Sequence, residues 1–184
     1  TVYNLDLTND QGTTMFATKF NQDYAGYSYY ESASSDEPTN SSPTFINGDN
    51  TIYVAHTYMF NDYRAWEQGG EIAYSVVKKT SEVVALLAND NCVIQDQNNS
   101  RLTTLDEIKA ASGLSIYGLY TYYDLDNTDG EGNPNAVKVT KNELEGGISG
   151  YFFNDKEKTS MIENSSDWVA AIVAGTPVYH SNSL

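Results

Sequence analysis

The sequence predicts a single, mainly β domain, sandwich-like and of the α+β class, with two or three short helices. Three observations carry that reading. The first third alternates apolar and polar residues with the period of a half-buried strand. Asn/Asp/Gly clusters at 9–12 and 47–50 punctuate it. Aromatic runs return after Leu114, while clear helix caps occur only around Thr103 and Ser165.

Taken in order, Tyr3, Leu5 and Leu7 alternate with Asn4 and Asp6, which predicts a first strand. Thr13 to Phe20 and Tyr24 to Glu31 read as the next two. Ser32 to Pro43 is polar and holds Pro38 and Pro43, so it is expected as a long exposed loop. Thr51 to Phe60, TIYVAHTYMF, is a strong strand. Glu71 to Ala88 fits either state: Ile72, Val76, Val83 and Leu87 share a helical face, whereas Val76-Val77 and Val83-Val84 are β pairs. The absence of Gly and Pro there favours helix. Cys92 to Ile94 is a short strand. Thr103-Thr104-Leu105-Asp106-Glu107 opens a helix with a Thr cap and acids in its first turn, closed by Gly113. Strands are expected at Leu114 to Tyr123, Ala136 to Val139 and Gly150 to Asn154. Ser165-Ser166-Asp167 caps a helix from Trp168 to Ala174, and Pro177 to His180 closes the chain as an edge strand.

Composition narrows the function. Of 184 residues, 10 are Lys or Arg and 25 Asp or Glu, a net charge of −15. Phosphate backbones would be repelled, so no nucleic acid is expected as a partner. Docking on anionic lipid is disfavoured for the same reason, and no run is long and apolar enough for membrane insertion. Only 19% of residues are charged, and Asn, Ser and Thr supply over a quarter of the chain. Tyr is the dominant aromatic, with 15 residues against 6 Phe and 2 Trp. A rigid apolar ring with a polar tip suits surfaces that touch something. This balance, and the abrupt start of the chain in a strand-like run, fit an extracellular protein or one on a cell or particle surface. Asn40, Asn98 and Asn164 begin N-x-Ser sequons, in a chain so rich in Asn and Ser that chance accounts for them. The lone cysteine, Cys92, excludes an intramolecular disulfide and is expected as a buried thiol in its apolar run.

The densest acidic cluster is Asp124-Leu125-Asp126-Asn127-Thr128-Asp129-Gly130-Glu131-Gly132-Asn133, followed by Glu143. Alternating acids on a tight loop can turn several carboxylates inward, and Gly permits the bend. The segment 124–144 resembles an EF-hand or dockerin-type calcium loop with an insertion. The third acid is one place late, and Glu143 is the twentieth residue from Asp124, where the family's closing Glu is twelfth. The resemblance implies Ca²⁺ held by Asp124, Asp126, Thr128, Asp129, Glu131, Asn133 and Glu143, and not the EF-hand fold. The alternative is an Asp/Asn/Gly turn with solvated acids.

Several runs share one texture: Gly26 to Glu31, Tyr58 to Asp62, Gly118 to Asp124 and Gly150 to Asp155. Each ends in an acid, and all but Tyr58 to Asp62, a partial match, carry aromatics at both strand parities. One face of such a strand packs the core; the other must meet water, a partner or a ligand. The readings are a sandwich with Tyr hydroxyls at its rim, a protein contact face, or a platform on which sugar rings stack. The extended chain ends, Val2 to Leu7 and Pro177 to His180, suit either strand addition to a neighbour or pairing within the domain.

No nucleophile elbow, phosphate loop, zinc-protease motif or dinucleotide fingerprint occurs. His56, alternating with Tyr residues, is expected at the core or its rim. Asp62 and Glu67, near Trp66, are a glycosidase-like carboxylate pair of low specificity. The expectation is therefore a non-enzymatic, calcium-stabilised structural protein that self-associates, or meets a surface protein, through Tyr-rich strands as a filament, shell or adhesin subunit. A carbohydrate-binding module and a secreted hydrolase are the alternatives.

Overall fold

The computed structural model describes residues 2–8, 14–17, 27–30, 52–67 and 73–184, with side chains from Ala55 onward. The expected Ser32 to Pro43 loop, the Asn40 sequon and the turns at 9–12 and 47–50 lie outside the described residues.

The first strands are β1 (Val2–Thr8), β2 (Thr14–Ala17), β3 (Tyr27–Tyr30) and β4 (Ile52–Asp62), followed by a single helical turn, α1 (Arg64–Glu67). Next come β5 (Tyr74–Lys79), α2 (Thr80–Leu87), β6 (Cys92–Asp96), β7 (Arg101–Leu102), α3 (Leu105–Ala110) and β8 (Leu114–Gly118). The remainder is β9 (Tyr120–Thr128), β10 (Pro134–Val139), α4 (Lys141–Glu145), β11 (Tyr151–Phe153), α5 (Ser165–Val173) and β12 (Tyr179–Ser181).

These form two sheets in a mainly β, α+β architecture. The larger runs β2-β1-β4-β8-β6-β7, with β3 and β5 also on β4. Strand β4 is long enough to serve two sets of neighbours: its first half pairs β1 and β3, its second half β5 and β8. The smaller sheet runs β10-β9-β12-β11. Both terminal strands pair within their own sheets, β1 with β2 and β4, and β12 between β9 and β11.

Each sheet has its own core. Phe60, Ile94 and Ile116 of the larger sheet pack against Val83 of α2 and Ile108 of α3. Tyr122, Phe152 and Val178 of the smaller sheet pack against Leu144 of α4 and Trp168 and Ile172 of α5. Helices thus cover the inner face of both sheets. A salt bridge from Arg101 Nη2 to Glu143 Oε1 at 2.7 Å, a bond from Lys138 Nζ to the Asp90 carbonyl and one from Leu119 N to the Asn91 carbonyl link the two units.

The helices number five among the described residues, not two or three. Two of them were concealed by other readings. The turn α1 is started by Asp62, whose Oδ1 accepts the Arg64 amide at 3.0 Å. The short α4 is started by Thr140, whose hydroxyl accepts the Glu143 amide at 3.2 Å. The segment expected as helix over 71–88 divides at Lys79. Val76 and Val77 pair with Phe60 and Met59 in β5, and the helix begins only where Glu82 accepts the Lys79 amide at 2.8 Å. Cross-strand pairing outweighed the helical periodicity there.

Candidate functional site

The acidic segment forms an antiparallel hairpin. Asp124, Asp126 and Thr128 lie on β9, and Asp129, Glu131 and Asn133 lie in the turn to β10. Each acid that makes contacts is used locally. Asp124 Oδ1 accepts the Asp126 amide at 3.0 Å, and its Oδ2 the Asn127 side chain at 2.6 Å. Asp126 accepts the Ser181 hydroxyl at 2.8 Å and the Asn182 amide at 2.7 Å, bonds that hold its carboxyl below the usual range. Asp129 accepts the amides of Asn133 and Glu131, with the same effect. Glu143 is apart, at the start of α4 and paired with Arg101. Among the described residues no group of three or more His, Cys, Asp or Glu side chains converges to hold a metal ion. The T-x-x-E spacing of Thr140 to Glu143, a helix-start signal, was the clue to the position of Glu143.

Beside Asp124 stands His180, a residue that sequence reasoning did not single out as a site. It is 6% exposed, and its Nε2 lies 2.7 Å from the Ser149 carbonyl. A carbonyl only accepts, so Nε2 carries the proton. Its Nδ1 faces Asp124 Oδ1 at 3.9 Å. Tyr122 and Phe152 flank the ring at 5.6 and 4.9 Å between centroids.

On the other face of the smaller sheet, Tyr123 and Tyr179 are register partners with ring centroids 5.6 Å apart. They line a cleft of about 280 Å³ with Asn133, Pro134, Lys156 and Pro177. The expected division of aromatics is seen on β9 and β12, with Tyr122 buried and Tyr123 and Tyr179 half-buried on the other face, but not on β11, where Phe152 and Phe153 are both buried. In the larger sheet, the face opposite α2 and α3 carries Met59 and Val77, cross-strand partners that are 68% and 37% exposed. Further along that sheet, Tyr63 stacks on Tyr117 at 4.8 Å and meets the edge of Trp66.

The carboxylates Asp62 and Glu67 are both 0% exposed, and their environments differ sharply. Burial alone would raise the Asp62 carboxyl, but the side-chain and backbone hydrogen bonds from Arg64 outweigh it and hold the group below its ordinary value. Neither oxygen of Glu67 makes a well-aligned hydrogen bond among the described residues, although the Gly118 and Lys141 amides lie near it. Burial pushes its carboxyl up to about 7, against the pull of the nearby Gly118 and Lys141 amides and the Lys141 charge. One ionised and one neutral carboxyl is the division that acid–base chemistry needs. Here, however, both are sealed from solvent. Cys92 is a core residue whose thiol is raised by burial, the opposite of an activated nucleophile. His56 is half-buried with its ring 4.5 Å from Tyr58.

The chain matches no family model, and neither a curated protein nor a solved structure is significantly similar to it.

Proposed function

We propose that this chain is a non-enzymatic protein of a cell or particle surface that associates with further copies of itself through its exposed apolar and Tyr-bearing sheet faces. The observation that carries this reading is the Met59–Val77 pair. Two apolar side chains in cross-strand register share an open sheet face, Met59 largely in solvent and Val77 about a third exposed. Burying one such side chain contributes about 1.5–3 kcal/mol, which a contact recovers and a monomer forgoes. Because β1 and β12 are already paired in their own sheets, contact is assigned to the faces and not to a donated strand. The Tyr, Asn, Ser and Thr content supports the surface location.

Sedimentation velocity tests it. The sedimentation coefficient of the native chain is expected to rise with concentration, and Met59→Lys with Val77→Lys should flatten that rise without unfolding the chain. A native chain that stays strictly monomeric at high concentration overturns the proposal.

The Tyr123–Tyr179 cleft favours a second reading, a carbohydrate-binding module. Two rings beside the Asn133 amide and the Lys156 ammonium offer a stacking surface with hydrogen-bonding groups at its rim. A glycan array separates the readings: binding abolished by Tyr179→Ala supports the module.

A further inference from the structure

The most anomalous group in the molecule is a buried acid at the seam between the two sheets. Glu67 is wholly buried, and neither of its oxygens has a hydrogen-bond partner among the described residues. A native interior seldom leaves such an oxygen unpaired. Its surroundings come from both units. From the larger sheet, Gly118 at the end of β8 lies beneath it, so that a Cβ there would sit 3.6 Å from Glu67 Oε2, and Tyr117 and Arg64 are close by. From the smaller sheet, β9 contributes Tyr120, whose buried hydroxyl is also unpartnered and whose ionisation is opposed by burial and by the Glu67 charge. Helix α4 contributes Lys141, whose charge favours ionised Glu67, and Glu143, whose charge opposes it. Lys141 also lies 4.0 Å from Glu145, and Glu143 is paired with Arg101.

We propose that Glu67 is a proton-operated joint: in its neutral form it lets the two sheets close on each other, and on ionisation it draws water into the seam and loosens them. The chemistry is desolvation. A neutral carboxyl tolerates this pocket, whereas for a carboxylate the nearby Gly118 and Lys141 amides and the Lys141 charge do not offset the burial. The closed form holds the proton up to about pH 7, while a hydrated Glu67 gives it up in the ordinary glutamate range. The closed form is thus fully favoured below the ordinary glutamate value and loses that advantage as pH rises to about 7. Over that interval the opening equilibrium rises by up to about tenfold per pH unit, then levels.

Two measurements test this. In the native chain, carbon-13 NMR of the Glu67 carboxyl should titrate near neutrality; a midpoint in the ordinary glutamate range overturns the proposal. Amide exchange, corrected for intrinsic rate, should show protection at Leu119 and Tyr120 falling with pH relative to the β6–β8 ladder. In Glu67→Gln that fall should vanish. A Glu67→Gln chain with the native pH dependence, or a native chain with none, refutes the joint.

Discussion

In the larger sheet, Asp62 and Glu67 are sealed inside while Met59 and Val77 stand outside. In the smaller sheet the arrangement is reversed: the acids Asp126 and Asp129 accept amide hydrogens at the surface, and Tyr122, Phe152 and Trp168 fill the interior. The contrast separates two conditions for placing a carboxylate. With donors at hand it stays ionised, whether exposed like Asp126 or buried like Asp62 beside Arg64. Where burial outweighs the donors, as at Glu67, the carboxyl is pushed up to about 7. The same contrast locates function. The hairpin carboxylates Asp126 and Asp129 already hold donors, whereas the exposed Met59 and the buried Glu67 lack well-aligned partners.

The largest test of the contrast is the aromatic interior. Phe152 stacks on Trp168 at 3.9 Å and meets the edge of Tyr122 at 5.6 Å. Phe152→Ala should cost about 4 kcal/mol in urea unfolding, through lost transfer energy and a cavity. Met59→Ala, on the open face, should cost less than about 0.5 kcal/mol when measured on the dilute, unassociated chain. Equal losses would mean that the exposed face is buried in solution. A smaller effect is expected at Gly150, which has φ +110° and would carry a Cβ 2.5 Å from His180 Nε2 and 2.9 Å from the Ser181 carbonyl. Gly150→Ala combines strain with a clash and should cost about 2–3 kcal/mol. A Cβ on Gly130 in the hairpin turn meets nothing within 4 Å, so Gly130→Ala should fall within about 0.5 kcal/mol of the native chain. A neutral Gly150→Ala would show that His180 is not fixed as described.

Much of the fold was legible because it depends on local pattern. TIYVAHTYMF became β4, Thr104 caps α3 by accepting the Glu107 amide at 3.3 Å, and Ser165 to Val173 is α5. The errors share a cause: a local signal was read without its partner. The helical periodicity across 71–88 yielded at Val76 and Val77 to β4, a neighbour distant in sequence. Glu143, grouped with Asp124 in the calcium-loop expectation, stands at the start of α4, where the Thr140 hydroxyl accepts its amide. The burial of Glu67 was not legible at all. Nothing near it in sequence is strongly apolar except Trp66, and the pocket is assembled from Gly118, Tyr120 and Lys141.

The hairpin offers the smallest and most discriminating test, because it decides whether its acids are a cation site or a set of turn caps. On the hairpin Asp126 already accepts Ser181 and Asn182 and Asp129 its turn amides, while Glu143 pairs with Arg101 at 2.7 Å, so Ca²⁺ would share these carboxylates with donors already in place. Donors already in place on these carboxylates reduce what each gains from a cation. A bound ion adds stability only in proportion to the logarithm of its concentration over Kd. Calcium at about 1 mM, the range of weak extracellular sites, is therefore expected to shift Tm by less than about 1 °C. A rise of several degrees, reversed by a chelator, would show that the cation outcompetes these bonds, and would move the hairpin from the donor-supplied side of the comparison to the side that still binds.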